Sequence, residues 1–145
     1  MKQQQAEVYY RVGNDFLKKR DFPKAISNFK EAIKLDPKYI KAYSNLGVAY
    51  KAAGFLEKAE ETYLNALKVK PINGVVFNNL GNVYTQMNRL KDAEKMYLRA
   101  IKIYPNYKEA YYNLGQVYYF SGQKKKAIET RVKLEKIKLK LSAKS

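Results

Sequence analysis

Apolar side chains recur three and four positions apart along most of the chain, the spacing that places them on one face of an α-helix. Within residues 40–73, two such stretches are separated by a short polar break at Gly54. The first stretch contains Tyr43, Leu46 and Tyr50, and the second contains Ala59, Tyr63 and Ala66. This pattern predicts a hairpin of two amphipathic helices.

The same pattern returns every 34 residues. The glycines of this series are Gly13, Gly47, Gly81 and Gly115, and the alanines are Ala25, Ala59, Ala93 and Ala127. Aromatic residues keep the same period at Phe29, Tyr63 and Tyr97. A fixed period of this length is typical of repeat proteins. We expect four hairpins in a single domain, at residues 6–39, 40–73, 74–107 and 108–141, with short tails at 1–5 and 142–145.

The helix boundaries have local signals. Gly54, Asn88 and Gly122 stand between the two helices of their hairpins, where a left-handed residue closes a helix, and Arg20 takes that place in the first hairpin. The second helices of the first three hairpins are expected to end before a proline, because proline disfavours helical geometry at the residue that precedes it. These prolines are Pro37, Pro71 and Pro105.

The motif Tyr43-x2-Leu46-Gly47-x2-Tyr50, followed by Ala59-x3-Tyr63 and Pro71, resembles the tetratricopeptide repeat, with Tyr where that pattern often has Trp. The resemblance recurs four times and covers nearly the whole chain. It implies an all-α solenoid, a right-handed superhelix of four helix-turn-helix units and about eight helices. It also implies a concave inner wall built by the first helix of each unit, and a non-enzymatic scaffold for protein-protein interaction.

The fourth unit departs from the pattern in its second helix. Arg131 replaces the aromatic residue of the other units, Leu134 replaces a small alanine, and no proline follows. We interpret this helix as a basic cap that impedes a fifth unit and continues to about Leu141. The apolar residues among its lysines leave open self-association through this end.

The stripe of the first helices that the core does not use is rich in asparagine. Its members are Asn14, Asn45, Asn78, Asn79, Asn82 and Asn113. An amide side chain has both a donor and an acceptor, so a row of them can pair with the backbone of an extended peptide. Hydrogen bonding between adjacent helices is the alternative role for these residues, and the sequence does not decide between the two.

Other residues of the same stripe indicate the chemical character of a partner. Lys41 would favour an acidic ligand, and Tyr112 and Tyr119 are expected to anchor it through their large rings. Contact with a folded-back last helix is the alternative for the two tyrosines. The carboxylate clamp of chaperone adaptors is disfavoured, because Tyr10, Val75 and Asn79 stand where that pattern has basic residues.

Composition narrows the remaining functions. The 145 residues include no Cys, His or Trp, so thiolate and imidazole metal sites and histidine catalysis are excluded, and no cofactor, metal or enzymatic activity is expected. The formal net charge is +16, and many of the lysines lie in the last helix, at Lys124 to Lys126 and beyond. Binding of nucleic acid or an anionic surface by this helix is therefore the alternative function, although no RNA-reading motif accompanies it.

No apolar run reaches the length of a membrane span, which leads us to expect a cytoplasmic protein.

Overall fold

The computed structural model describes residues 1–144, which form eight α-helices and no β-strand. The helices are α1 (Lys2–Lys18), α2 (Phe22–Leu35), α3 (Ile40–Ala52), α4 (Leu56–Val69), α5 (Gly74–Gln86), α6 (Leu90–Ile103), α7 (Lys108–Phe120) and α8 (Lys124–Ser142). They form two compact units, unit 1 at Met1–Pro71 and unit 2 at Ile72–Ser145, so that each unit contains two of the predicted hairpins.

The helix ends follow the local signals of the sequence. Helices α2, α4 and α6 each end two residues before a proline, at Leu35, Val69 and Ile103. The turn inside each hairpin contains one residue with positive φ, and these residues are Arg20 (60°), Gly54 (88°), Asn88 (61°) and Gly122 (79°). Two helices also have side-chain caps, since Asp21 accepts a hydrogen bond from the backbone of Lys24 and Asn73 accepts one from the backbone of Val76.

The paired helices of the first three hairpins approach each other at a glycine. The aromatic ring of the second helix packs directly on that glycine, as Phe29 does on Gly13, Tyr63 on Gly47 and Tyr97 on Gly81. All three rings are buried. The glycines are therefore required by the close approach of a ring to the helix backbone, which explains their 34-residue period.

Within each unit, the second hairpin packs onto the first through its first helix. In unit 1, α3 contacts both α1 and α2, and in unit 2, α7 contacts both α5 and α6. These covering helices place the buried residues Ala42, Leu46 and Ala49, and Ala110, Leu114 and Val117, at the same positions of the repeat.

The fourth hairpin lacks the ring that the other three contain. Arg131 stands in its place with an exposed side chain, and the nearest side-chain atom to a methyl group on Gly115 would be Thr130 Cγ2, at 3.8 Å. Leu134, which we expected to obstruct a further repeat, is buried. Helix α1 begins at Lys2, within the N-terminal segment 1–5, and α8 continues to Ser142, the first residue of the C-terminal segment 142–145.

We expect Gly81→Ala to destabilise the protein by about 1–3 kcal/mol, because its methyl group would lie 2.5 Å from the buried ring of Tyr97. Gly115→Ala is the matched control. It should stabilise the chain by about 0.5–1 kcal/mol through helix propensity, since no ring opposes it. Urea denaturation followed by circular dichroism measures both, and equal effects of the two changes would contradict this account.

Candidate functional site

Three polar side chains of unit 1 meet on neighbouring first helices. The Asn45 side-chain nitrogen in α3 donates to Asn14 Oδ1 at 2.6 Å and to the Tyr10 hydroxyl at 3.2 Å, both in α1. These residues are half-buried. We call Tyr10, Asn14 and Asn45 the unit 1 amide cluster.

The unit 1 amide cluster continues into a charged group. The Tyr10 ring contacts the Tyr39 ring edge-on at 5.1 Å, and the Tyr39 hydroxyl donates to Glu7 Oε2. Arg11 pairs with the same carboxylate at 2.9 Å. The hydrogen bond from Tyr39 is the main cause that lowers the pKa of Glu7, and burial together with Glu7 raises the pKa of Tyr39.

The same arrangement recurs two repeats later in unit 2. The Asn113 side-chain nitrogen in α7 donates to Asn82 Oδ1 at 3.1 Å and to Asn78 Oδ1 at 3.2 Å, both in α5. We call Asn78, Asn82 and Asn113 the unit 2 amide cluster. The Tyr97 hydroxyl of α6 also donates to Asn82 Oδ1, at 2.6 Å, and burial raises the pKa of Tyr97 to about 12. The asparagines thus hydrogen-bond between adjacent helices in both units, as one of the two sequence interpretations predicts.

A groove of about 440 Å³ lies beside the unit 2 amide cluster. Its other walls are Tyr112, the aliphatic Leu134 and three charged residues, Lys108, Glu109 and Lys138. We call this space the amide groove. It combines fixed amide groups, one exposed ring and an excess of positive charge.

The structure brings some of the predicted site residues together and separates others. Asn14 and Asn45 meet in unit 1, and Asn78, Asn82, Asn113 and Tyr112 meet around the amide groove. Lys41 is exposed in the first turn of α3, where its charge contributes to the lowered pKa of Glu7. Asn79 is half-buried in α5 and is not a member of the unit 2 amide cluster.

The aromatic residues of α7 remain open. Tyr112 is 53% exposed and Tyr119 is 62% exposed, so α8 does not fold back over them. Tyr119 lies away from the amide groove, in a separate groove between α7 and α8 that Tyr112 also lines.

Sequence reasoning missed several contributors to these sites, among them the charged residues Lys108 and Glu109 of the amide groove. Tyr39 and Glu7 are separated by 32 positions and become partners only through helix packing. Leu134 and Lys138 belong to a helix that we had interpreted as a cap, yet both line the amide groove. Asparagine periodicity identifies amide positions of the first helices, so it points neither to the charged residues of those helices nor to residues of the loops and the second helices.

Comparison with known families agrees with this architecture. A model described as TPR repeat matches residues 13–54 and 81–122, and a second, described as Tetratricopeptide repeat, matches residues 40–73 and 108–138. The chain belongs to the tetratricopeptide repeat family. Its fold is an all-α tetratricopeptide solenoid, and the repeats of this family form protein-interaction scaffolds.

Curated relatives match parts of this tetratricopeptide protein. Hsp70-Hsp90 organizing protein 3 of Arabidopsis thaliana is 39% identical over 51 residues, which are 35% of this chain and 9% of the relative. Hsp70-Hsp90 organizing protein 1 of the same plant is 48% identical over 42 residues, 29% of this chain and 7% of the relative. An uncharacterized protein of Methanocaldococcus jannaschii is 39% identical over 56 residues, 39% of this chain and 65% of the relative. The match thus spans less than a tenth of each plant relative.

Solved structures share the fold over most of the chain. A crystal structure of MamA has a TM-score of 0.81 and 29% identity, and covers 93% of this chain and 74% of MamA. PilF of Pseudomonas aeruginosa has a TM-score of 0.85 and 24% identity. The match covers 94% of this chain and 62% of PilF. The first tetratricopeptide domain of Spaghetti (RPAP3), bound to the HSP90 peptide SRMEEVD, has a TM-score of 0.78 and 22% identity. The match covers 83% of this chain and 95% of that domain.

None of the eight helices within residues 1–144 combines the length and the apolar composition that a membrane-crossing segment requires.

We expect Tyr39→Phe to raise the pKa of Glu7 toward its ordinary value of 4.5, because the variant removes the main cause of the lowered pKa. A carboxyl group with a lowered pKa stabilises the fold above the pKa of the unfolded chain, and this contribution is lost as pH falls through the folded pKa. The variant should therefore lose less stability between neutral pH and about pH 3 than the parent chain does.

NMR titration of the Glu7 carboxyl carbon and urea denaturation at the two pH values test this. Tyr43→Phe is the control, since the Tyr43 hydroxyl donates to the Pro37 carbonyl oxygen and not to Glu7. An unchanged Glu7 titration in Tyr39→Phe would show that the hydroxyl does not set the pKa.

Proposed function

We propose that this tetratricopeptide protein is a non-enzymatic scaffold that binds an extended, acidic segment of a partner protein in the amide groove of unit 2. The observation that carries the proposal is the placement of the Asn113 side chain, held by two hydrogen bonds beside a groove that contains the exposed Tyr112. The Asn113 amide can then have both roles, since it can join two helices through hydrogen bonds and also bind a peptide.

The hydrogen bonds of the cluster favour binding because they fix the amide before a ligand arrives. They involve the Asn113 nitrogen, whereas its carbonyl oxygen takes no part in them. A fixed carbonyl can accept a hydrogen bond from a peptide N–H whatever the peptide side chains are. Ordering an already immobile side chain costs little entropy, which increases the affinity.

Tyr112 and the charged residues of the amide groove would increase the affinity for the peptide and favour peptides with acidic side chains. Tyr112 offers a large, half-exposed ring as an anchor. Lys108 and Lys138 line the groove with a single carboxylate, Glu109, so acidic ligand side chains are favoured over basic ones.

The relatives suggest the class of ligand. The RPAP3 structure contains an acidic heptapeptide, and the plant relatives are named as Hsp70-Hsp90 organizing proteins. Tyr10, Val75 and Asn79 nevertheless stand where a carboxylate clamp has basic residues. We therefore propose that this chain grips an acidic peptide by its backbone and its acidic side chains and does not depend on the terminal carboxylate.

The test compares the peptide SRMEEVD as a free acid and as a C-terminal amide, each titrated into the full chain. We expect the two forms to shift the side-chain amide NMR signals of Asn78, Asn82 and Asn113 with dissociation constants within about twofold of each other, since no clamp reads the carboxylate. Tyr112→Ala should weaken binding by about tenfold through loss of the ring contact.

Tyr119→Ala is the matched control, because Tyr119 is an exposed tyrosine of the same helix that does not line the amide groove. Equal weakening by both alanine variants would place the ligand elsewhere. Loss of binding on amidation would instead establish carboxylate capture. The absence of any shift at about 1 mM peptide would reject the amide groove as the site for acidic segments.

A further inference from the structure

The second groove of unit 2 lies between α7 and α8 and results from the missing aromatic residue of the fourth hairpin. It has a volume of about 350 Å³, and Gly115 and Arg131 line it at the positions where Gly81 and Tyr97 pack against each other in the third hairpin. We call this space the end groove. Its volume lies in the range of about 300–1,000 Å³ that is typical of ligand sites.

The way in which successive repeats pack shows that the end groove has the shape of a helix-docking site. In unit 2, α7 docks on α5 through the hydrogen bonds of Asn113 to Asn78 and Asn82. The residues one repeat after Asn78 and Asn82 are Tyr112 and Gln116, and both line the end groove. In unit 1, α3 docks on α1 in the same way through Asn45. The end groove is therefore the place where a helix would dock on α7.

Two large apolar side chains that line the end groove are exposed. Tyr119 is 62% exposed and Ile128 is 65% exposed, and both line it. A docking helix that places a large apolar residue over Gly115 would supply the ring that the fourth hairpin lacks. It would also remove the exposed apolar surface from water, which favours binding.

Charge determines which kind of helix is favoured. Lys124 and Arg131 line the end groove, and no acidic residue is among its lining residues. The carboxylate that pairs with Arg131, that of Glu135, lies 3.4 Å from Arg131 and is shared with Lys138 at 3.3 Å. Acidic side chains that flank the apolar stripe of a partner helix would meet this positive charge.

The same charges disfavour a second copy of this chain. Two copies each carry a formal net charge of +16 and repel each other. The helix of a second copy that could continue the array is α1, and it has Arg11 at the repeat position of the docking residues Asn45 and Asn113. This docking would place Arg11 on Tyr112 and Gln116, in the groove that Arg131 and Lys124 also line.

We propose that the end groove binds an amphipathic, acidic helix of a partner protein, which completes the fourth hairpin with its own large apolar side chain. This interaction surface uses α8 and the outer face of α7, and it does not require peptide binding in the amide groove.

The test uses two synthetic stapled helices of about 14 residues that share one apolar stripe, spaced as in α3 and α7, with a central Phe. One carries Glu at its remaining positions and the other carries Lys. We expect the Glu helix to bind the full chain, to shift the backbone NMR signals of Gly115 and Gln116, and to bind at least about tenfold more tightly than the Lys helix.

The decisive variant is Arg131→Tyr, which restores the aromatic residue of the other hairpins. It should fill the end groove and weaken binding of the Glu helix by at least about tenfold. Lys133→Gln removes one charge from α8 at a residue that does not line the groove, and it should change the affinity by less than about threefold at moderate salt. Ile128→Ser alters an exposed side chain and should also weaken binding, which keeps the test valid if Arg131→Tyr folds poorly.

Three results would overturn the proposal. The first is equal binding of the Glu and Lys helices, because charge would then not select the partner. The second is binding without shifts at Gly115 and Gln116. The third is a combination of results. If the Glu helix does not bind, the chain forms a dimer in analytical ultracentrifugation, and Arg131→Tyr abolishes that dimer, then a second copy of the chain occupies the end groove. Since the SRMEEVD titration reports on different residues, the two proposals can fail independently.

Discussion

The packing of an aromatic ring on a glycine holds each of the first three hairpins together. Phe29, Tyr63 and Tyr97 lie against backbone that has no side chain, so two helices approach closely over a fully buried ring. Neither partner can change alone, because a larger residue at the glycine collides with the ring and a smaller residue in place of the ring leaves a cavity. This mutual constraint explains why both residues keep the repeat period.

The asparagine clusters depend on that packing. Once α3 sits on α1, and α7 on α5, Asn45 and Asn113 come within hydrogen-bonding distance of two polar groups of the neighbouring helix. These bonds set the orientation of the amide groups as well as joining the helices. Under the proposed function, a structural role and a binding role are compatible for these residues, because a side chain that is held in place is also a better recognition group.

The fourth hairpin shows the effect of breaking this constraint. With Arg131 in place of the ring, the glycine side of α7 stays open, and tyrosines that would be covered in the middle of an array remain exposed. Lys124 and Arg131 of α8 place positive charge at this surface. Unit 2 thus presents two neighbouring grooves that share Tyr112 and Leu134, one rich in amides and one rich in exposed apolar side chains.

The sequence by itself determined the helices, their turns and the pairing inside each hairpin, because these depend on residues close in the chain and on a period that four copies repeat. Gly54, Asn88 and the prolines mark boundaries that the structure reproduces within two residues. Only the tertiary structure decided that Glu7 meets Tyr39, that Leu134 is buried and that Arg131 borders an open groove. Those facts depend on how far one helix lies from another, a distance set by packing among residues remote in sequence.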